Sequence, residues 1–189
     1  PGFKIVYPST AYDAKGLIKA AIRDDNPVIF EEHKALYRAP TLREVLPDED
    51  YVVPLGKART VREGSDLTLV TYGAMVHKSV EAAKKLEQED GVGVEIIDLR
   101  TLLPLDEDAI VESLKCTGRV LIVHEDTRTG GIAGEIAIRL NERAFEWLDA
   151  PILRVTAIDS PVPYAGSLED YFLPQVEDIV TAGRYLAAY

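Results

Sequence analysis

Cysteine is nearly absent from this sequence of 189 residues, which contains only Cys116. A single cysteine excludes an internal disulfide framework and fits the reducing conditions of a cytosol. We interpret Cys116 as a small residue that fills a helix end, in preference to a nucleophile. Long apolar runs are lacking too, since none approaches the roughly 20 residues that a membrane-spanning helix needs. The first ten residues also lack the basic and then apolar layout of a secretion signal.

Basic residues are scarce relative to acidic ones. The chain has 21 Lys and Arg against 32 Asp and Glu, for a net charge of −11. Binding to a phosphate backbone requires clustered Lys and Arg, so the composition predicts no nucleic-acid partner. A positively charged protein partner is permitted, because a net negative charge attracts it over long range. Acidity that only keeps the protein soluble fits equally well, so charge alone does not choose between these interpretations.

The chain divides into two blocks at a polar, proline-containing stretch from Ala39 to Tyr51, which we interpret as a linker or long surface connection. The first block predicts a strand at residues 3–7 and a helix that begins after Thr10, with a stripe of Leu17, Ile18, Ala21 and Ile22. A short strand of the fully buried type follows at residues 28–30. One β-α-β unit cannot cover its own faces, so we expect this block to lean on missing or partner structure and the chain to begin in mid-domain.

The second block alternates strands and helices. The strands are predicted at residues 67–72, 94–99, 120–124 and 152–155. Apolar residues at helical spacing follow each of them, and Asp106 is predicted to open the second helix. This alternation predicts right-handed crossovers and a mostly parallel sheet with helices on both faces. The fold class is therefore α/β, in three layers.

Polar residues follow several predicted strands, where ligands of α/β sheets bind. They are Tyr72-Gly73, Asp98 to Thr101 and His124 to Asp126. Any parallel sheet also ends in polar loops, so a small-molecule site and a plain loop cluster both remain open. The glycine run from Thr129 to Ile136 matches no phosphate-binding motif and favours a tight turn over an anion site. His33, His77 and His124 have no metal-ligand spacing, and His77 is expected to be exposed.

The end of the first helix, AIRDDNP from Ala21 to Pro27, has a more specific interpretation. The last carbonyl groups of a helix lack partners within it, and the helix dipole places about half a negative charge there. Asp24 and Asp25 add full charges. Backbone oxygens at such an end can hold a cation, although the residues alone favour a plain helix end with solvated carboxylates.

Long segments of the chain resemble the beta subunits of thiamine-diphosphate-dependent 2-oxo acid dehydrogenases. The resemblance runs in order and without large gaps over essentially the whole chain. One departure is Asp126-Thr127, where the family has Ala-Pro, and it affects only the expected loop shape. The similar segments are PSTAYDAKGLIKAAIRDDNPVIFEEH, VPLGKARTVREGSDLTLVTYGAMVH, EIIDLRTLLPLD, TGRVLIVHEDTRTGGIAGEIA and DAPILRVTAIDSPVPYAGSLEDYFLP.

The resemblance implies a division into two domains. Residues 1–50 would be the tail of a thiamine-diphosphate pyrimidine-binding domain together with a linker. Residues 51–189 would form a transketolase-type C-terminal domain, with its mostly parallel three-layer sheet. The family's cofactor-activating glutamate and its reactive histidine match no position here. The resemblance therefore implies no catalytic and no cofactor-binding residue in this chain, which alone would be inactive.

The resemblance also implies cofactors and partners. The whole enzyme uses thiamine diphosphate with magnesium, held upstream or by an alpha subunit, and binds potassium at the helix end matching Ala21, Ile22, Asp24 and Asn26. Its partners are the alpha subunit, a second beta subunit, and the dihydrolipoyl acyltransferase core through a small basic peripheral binding domain. We expect Asp149 and the terminal Tyr189 to take part in that docking. Membrane and nucleic-acid partners are not expected.

The resemblance leaves the substrate and the role of this portion open. The segment HKALYR, residues 33–38, slightly favours a branched-chain 2-oxo acid over pyruvate. This portion would serve subunit assembly and docking to the acyltransferase core. The alternatives are a non-catalytic assembly domain only, or the C-terminal half of another transketolase-type enzyme. The expected location is a bacterial-type cytoplasm, or the mitochondrial matrix in a eukaryote.

Overall fold

Two separate sheets organise the computed structural model, which describes residues 2–189. A five-stranded sheet has the order β3-β5-β4-β7-β8, and a three-stranded sheet has the order β2-β1-β6. The strands are β1 (Lys4–Val6), β2 (Val28–Phe30), β3 (Arg59–Arg62), β4 (Leu67–Thr71), β5 (Val94–Asp98), β6 (Thr101–Leu103), β7 (Val120–Thr127) and β8 (Leu153–Ala157). The helices are α1 (Ala11–Ile22), α2 (Met75–Asp90), α3 (Glu107–Thr117), α4 (Ile132–Ala144), α5 (Gly166–Phe172) and α6 (Val176–Ala187).

The five-stranded sheet is the middle of three layers. Its strands β4, β5, β7 and β8 are parallel, and β3 adds an antiparallel edge that the sequence did not predict. Side chains alternate between the two faces along each strand. Leu69 and Leu121 pack with α2 and α6 on one face, whereas Val70 and Ile122 pack with α3 and α4 on the other. The predicted α/β fold class and three-layer arrangement are confirmed.

Local signals place the ends of several helices. Thr10 accepts the backbone N–H of Asp13 at 3.1 Å, as predicted for the start of α1. Asp106 precedes α3 as predicted, but its carboxylate accepts the N–H of Ala58 at 3.0 Å instead of capping the helix. Cys116 lies at the end of α3, where it is exposed, so the prediction that it fills space there is wrong.

The three-stranded sheet joins the two predicted blocks. β1 pairs with β2 in parallel and with β6, from the second block, in antiparallel register. Ile5 lies opposite Leu103 in that second pairing. The first block therefore leans on the second one through β6. Sequence reasoning missed β6 because its three residues directly follow β5 and carry no strand pattern of their own.

Burial in the first block is also less complete than predicted. Leu17 and Val6 are fully buried against Val53. Ile29 in β2 is 39% exposed and Ile22 in α1 is 78% exposed, so the strand predicted to be fully buried and the predicted helix stripe are each covered only in part within residues 2–189. The apolar pattern is present, but the described residues supply packing partners for only one side of this small sheet.

The predicted linker runs along α1 as an ordered strap. The rings of Tyr51 and Tyr12 stack with centroids 4.3 Å apart, and the Lys19 ammonium lies 2.6 Å from the Asp50 carboxylate. Short 3-10 helices occupy Lys34–Arg38 and Pro40–Leu42. None of the helices within residues 2–189 is long and apolar enough to cross a membrane.

Candidate functional site

The carboxyl ends of parallel strands from both sheets converge at one place. Tyr7 follows β1, His33 lies three residues after β2, and Glu125 belongs to the last part of β7. The Glu125 carboxylate is shared: His33 Nε2 lies 2.8 Å from its Oε2, and the Tyr7 hydroxyl donates to its Oε1 at 3.4 Å. The Tyr7 ring packs at a tilt on Tyr72, 5.3 Å between centroids. We call Tyr7, His33, Tyr72 and Glu125 the strand-end cluster.

The shared carboxylate sets the protonation of its neighbours. The hydrogen bond from Glu125 raises the pKa of His33, because the negative charge favours the imidazolium form. Burial, followed by the charge of Glu125, raises the pKa of Tyr7 to about 12. Tyr7 therefore remains a hydrogen-bond donor at neutral pH, whereas Glu125 favours the charged form of His33. Sequence analysis predicted polar strand ends here but missed His33 and Tyr7, because their strands belong to the other sheet.

His124, which the sequence placed in the same cluster, stacks on the Tyr72 ring with 6.3 Å between centroids but makes no hydrogen bond to Glu125. It is fully buried, and neither ring nitrogen has a hydrogen-bond partner among the described residues. Burial lowers its pKa, which favours the neutral ring. A Cβ on Gly131 would lie 2.6 Å from His124 Cε1 and 2.5 Å from the Thr127 carbonyl oxygen. The glycine run before α4 is therefore the tight turn that the sequence favoured, and it covers His124.

A buried charge network lies beside the strand-end cluster and joins the two sheets. Asp13 on α1 and Asp98 at the end of β5 are both fully buried. Arg100 Nη1 lies 3.1 Å from Asp13 Oδ1, and Arg59 Nη2 lies 3.3 Å from Asp13 Oδ2 and 3.5 Å from Asp98 Oδ2. The Ser9 hydroxyl donates to Asp98 at 2.5 Å. We call these five residues the buried charge network.

Desolvation dominates the electrostatics of this network. It raises the pKa of Asp98 to about 6, although the hydrogen bond from Ser9 and the charge of Arg59 act in the opposite direction. Arg100 adopts a positive φ of 53°, and its guanidinium also donates to the carbonyl groups of Lys57 and Ala58 at 3.1 Å.

His77, predicted to be exposed, is instead partly buried, with Nε2 2.8 Å from the Ser9 carbonyl oxygen. That prediction is wrong because the start of α2 packs against the turn after β1.

A cavity of about 500 Å³ opens at the carboxyl ends of β1 and β2. Its wall contains the start of α1 at Thr10 and Ala11, the His33 side chain, and the strap residues Leu42 and Arg43. The cavity is mostly apolar and lies next to the strand-end cluster through His33. Small-molecule sites commonly combine an apolar wall with a few converging polar groups.

The predicted potassium ligands lie at the end of α1, where Ala21 and Ile22 close the helix. The Ala21 carbonyl already accepts the Asp24 N–H at 3.3 Å, and Asp24 Oδ1 accepts the Asn26 backbone N–H at 2.9 Å. The Lys4 ammonium donates to the other oxygen of Asp24. These bonds, led by the one from Lys4, lower the pKa of Asp24 to about 2. Lys4 thus supplies positive charge where a bound potassium ion would, and the ligand set stays a prediction.

The predicted docking residues come together in space. Asp149 and Tyr189 are 40 residues apart in sequence, yet both line a shallow cavity of about 490 Å³ between the end of α4 and the end of α6. Both are exposed. Phe145, which is 68% exposed, and Pro151 complete its apolar wall. The geometry of this cavity does not identify a partner, so the docking role stays a prediction.

Magnesium has no such candidate site. Within residues 2–189, no group of three or more His, Cys, Asp or Glu side chains is arranged to hold a metal ion. The buried carboxylates Asp13 and Asp98 are engaged by Arg59 and Arg100. The described residues therefore do not fit a magnesium diphosphate group by themselves.

Comparisons with known proteins match both parts of the chain. Residues 1–40 match the family model "Transketolase, pyrimidine binding domain", and residues 56–179 match "Transketolase, C-terminal domain". The predicted boundary at residue 50 falls between the two matches and stays a prediction. A solved structure titled "Split gene transketolase, inactive beta4 tetramer" has a TM-score of 0.78 at 25% identity, covering 100% of this chain and 58% of that one.

Curated relatives extend the similarity. The chain is 48% identical to the 2-oxoisovalerate dehydrogenase subunit beta of Bacillus subtilis over 100% of its length and 57% of the relative. It is also 48% identical to the pyruvate dehydrogenase E1 component subunit beta of that organism, over 97% of this chain and 55% of the relative. The chain thus spans about half the length of the curated relatives it matches. The resemblance to these beta subunits is confirmed, and the chain belongs to the transketolase C-terminal domain family.

Proposed function

We propose that the chain is part of the beta subunit of a thiamine-diphosphate-dependent 2-oxo acid dehydrogenase. The observation that carries the proposal is 48% identity, over the whole chain, to a 2-oxoisovalerate dehydrogenase beta subunit. The order of the two family matches, pyrimidine-binding and then C-terminal, supports it. The whole enzyme would decarboxylate a 2-oxo acid and transfer the acyl group to a lipoyl arm. The protein would act in a bacterial cytoplasm or in a mitochondrial matrix.

This chain's own residues would serve assembly and positioning in that reaction. Thiamine diphosphate, when bound in the assembled enzyme, would supply the decarboxylation chemistry. Its magnesium ligands would come from upstream residues or from the alpha subunit. The buried charge network fixes α1 against the strand ends of the five-stranded sheet, and the strand-end cluster places His33 at the apolar cavity. We assign no catalytic role to either group.

The test of this function is reconstitution with an alpha subunit, thiamine diphosphate and magnesium. We expect 2-oxo acid-dependent reduction of an artificial acceptor in the mixture, and no activity from this chain alone. Absence of activity from an intact, folded mixture of the subunits would contradict the proposal.

We also propose a branched-chain substrate, on the basis of HKALYR at residues 33–38. The two Bacillus subtilis relatives are equally similar to this chain, so sequence identity does not choose between their substrates. A kcat/KM for 3-methyl-2-oxobutanoate below that for pyruvate would contradict this assignment.

We further propose that Asp149 and Tyr189 dock the basic peripheral binding domain of the acyltransferase. Their shared apolar cavity, bordered by exposed negative charge, supports this assignment. Exposed charges each contribute at most about 1 kcal/mol, yet they steer association. We expect Asp149→Asn to slow association with that domain and to flatten its salt dependence. Unchanged association rates would place the docking surface elsewhere.

Potassium binding at Ala21, Ile22, Asp24 and Asn26 completes the proposal. A ligand at a hundred times its Kd stabilises a protein by about 2.7 kcal/mol. We expect a higher Tm in potassium chloride than in tetramethylammonium chloride, with Asp24→Ala losing most of the difference. Lys4→Met is the informative second variant, because it removes the competing ammonium and should strengthen the potassium effect. Equal Tm values of the unmodified protein in both salts would contradict potassium binding.

An assembly domain without any part in catalysis is the second candidate. The split transketolase described as an inactive beta4 tetramer favours it, because that chain has the same fold. A purified protein that forms a homo-tetramer and never binds an alpha subunit would support this alternative. At 25% identity, against 48% for the dehydrogenase beta subunits, we prefer the dehydrogenase.

A further inference from the structure

The cavity at the carboxyl ends of β1 and β2 is bounded by three different parts of the chain. Its volume of about 500 Å³ is in the range of small-molecule sites. Ala14 of α1, Leu36 of the first 3-10 helix and Leu42 of the strap all belong to its wall, and all three are partly buried. Burial of apolar surface is the main source of affinity that such a wall offers. The wall therefore favours a ligand with an apolar body.

A carboxylate of the protein itself occupies an anion position on this wall. Glu44 lines the cavity, and its Oε1 accepts the backbone N–H of Tyr12 at 2.6 Å, in the first turn of α1. The first N–H groups of a helix have no partner within it, and the helix dipole favours negative charge there. Thr10 accepts only the N–H of Asp13. The Glu44 carboxylate thus marks a place where the cavity holds an anion.

The other charged side chains of the wall leave one cation unpaired. Arg43 lines the cavity, and it forms no ion pair with a carboxylate within residues 2–189. His33 also lines it, and the hydrogen bond to Glu125 raises the pKa of this histidine, which favours the imidazolium form. Glu32 is the remaining carboxylate of the wall, and the Tyr37 hydroxyl donates to it at 2.6 Å. Arg43 is therefore available to the anionic group of a ligand.

Exchange of the Glu44 carboxylate for that of a ligand leaves the hydrogen bonds and charges of the wall unchanged in number. Glu44 is exposed, and its bond to Tyr12 is the only hydrogen bond of its side chain within the described part of the chain. Its carboxylate can therefore turn into solvent. A ligand that takes its place also buries an apolar chain against Leu36 and Leu42, which is favourable. Glu44 is thus an internal competitor of the ligand.

We propose that this cavity binds a medium-chain aliphatic carboxylate, whose carboxylate replaces that of Glu44 at the Tyr12 N–H while its chain lies on the apolar wall. An alkylamine would place its ammonium at the positive end of a helix and beside Arg43, which is unfavourable. An alcohol of the same length would bring no charge to either group. Every residue involved belongs to this chain, so binding does not depend on the proposed function.

The test is titration of the protein with octanoate, measured by calorimetry and by the histidine resonances in NMR spectra. We expect binding at a single site that shifts the ring resonances of His33, while those of His124, which does not line the cavity, stay in place. Ala14→Leu fills the cavity with a side chain that a helix accepts readily, and it should abolish binding.

Two further variants test the position of the carboxylate. Glu44→Gln should lower the Kd for octanoate, because a neutral amide competes less well for a helix N-terminus than a carboxylate does. Arg43→Met should raise the Kd by roughly threefold to fivefold, the effect of one exposed charge. Val45→Ser is the matched control, because this strap residue is fully exposed and does not line the cavity, and it should leave the Kd unchanged.

The remaining outcomes overturn the inference in separate ways. Octanol or octylamine that binds as tightly as octanoate overturns the choice of a carboxylate. Octanoate that binds without a shift of the His33 resonances, or equally well to Ala14→Leu, overturns the choice of the cavity. A higher Kd in Glu44→Gln overturns the exchange of carboxylates. No measurable binding of octanoate overturns the inference as a whole and leaves the dehydrogenase assignment intact, since none of these measurements requires enzymatic activity.

Discussion

The two sheets are stabilised in different ways. The five-stranded sheet has helices on both faces, and strand residues such as Leu69 and Ile122 are at most 1% exposed. The three-stranded sheet has one small apolar cluster around Leu17, and Ile22 and Ile29 remain exposed. Its attachment to the rest of the chain relies on β6 and on Arg59 and Arg100 of the buried charge network. The five-stranded sheet is thus stabilised mainly by apolar burial. The three-stranded sheet depends largely on strand pairing and ion pairs with the rest of the chain.

This difference affects how the site responds to change. His33 and Tyr7 belong to the three-stranded region, whereas Glu125 belongs to the five-stranded one. The strand-end cluster therefore exists only while the two regions remain together. Regions with few buried apolar contacts open at lower free energy than a packed core. We expect the geometry of the candidate site to be lost before the larger sheet unfolds.

The largest effect is expected from Arg59→Met combined with Arg100→Met. The variant leaves the buried carboxylates of Asp13 and Asp98 without their cations, which costs roughly 3–5 kcal/mol. Hydrogen exchange should accelerate at the Tyr7 amide, which donates to the Arg100 carbonyl at 2.8 Å, while the Ile122 amide stays protected. Lys115→Met, which breaks an exposed pair with Glu112, is the control and should cost at most about 1 kcal/mol. Equal acceleration of hydrogen exchange in both sheets would contradict the inference that the two sheets are stabilised in different ways.

A pair of matched substitutions compares the two regions directly. Ile122→Ala removes a side chain that is 1% exposed from the central strand β7, and Ile29→Ala removes one that is 39% exposed from β2. Truncation of a buried isoleucine costs roughly 2–5 kcal/mol. We expect Ile29→Ala to cost about 1 kcal/mol or less, measured by urea denaturation of each variant. Equal costs would show that β2 is covered in solution by structure outside residues 2–189.

The larger sheet could be predicted from sequence because its signals are local. Helix stripes such as Ile110 and Leu114, and the buried run at residues 120–123, occur where the structure places α3 and β7. β3 and β6 were missed, since Arg59–Arg62 is a polar edge strand and Thr101–Leu103 is very short. Both are defined by pairing with distant strands, which no local pattern reports.

The candidate site was predictable only in outline. Asp98 and Glu125 were placed at strand ends, as parallel strands require. Their partners Asp13 and His33 lie 85 and 92 residues away in sequence, and nothing in the spacing connects them. Asp13 in particular was interpreted only as part of a helix start. That interpretation is correct for its backbone, but it does not reveal the contacts of the carboxylate with Arg59 and Arg100.

Asp98 gives the junction a pH dependence. Its pKa rises from an ordinary value of 3.8 to about 6 on folding, mainly through burial. The folded state therefore keeps a proton that the unfolded state releases between these two values, and the free energy of unfolding falls as pH rises across that window. The change amounts to about 3 kcal/mol at most. Asp98→Asn should gain stability relative to the unmodified protein between pH 4 and 7. If Asp98→Asn instead loses stability relative to the unmodified protein over this pH range, Arg59 keeps the Asp98 carboxylate ionised there.

The smallest effect concerns His33 and Glu125, the contact that joins the two regions at the candidate site. Glu125 raises the pKa of His33, so the pair's stabilisation is fully present below the ordinary value of 6.5 and is lost as pH rises through the folded-state pKa. We expect Glu125→Gln to lower the pKa of His33, at a cost of about 1 kcal/mol or less at pH 6. With only three histidines in the chain, NMR titration with His33→Gln for assignment measures this directly.

His124 provides the internal comparison for that titration. Burial lowers its pKa and Glu125 is a minor influence, so Glu125→Gln should leave its curve nearly unchanged. A His33 curve that is equally insensitive to Glu125→Gln would show that the 2.8 Å contact is not maintained in solution. The strand-end cluster would then not hold the two regions together, and the buried charge network would be the main polar connection between them. If Glu125→Gln lowers the pKa of His33 and leaves that of His124 unchanged, the contact between His33 and Glu125 connects the three-stranded region to the end of β7 in solution.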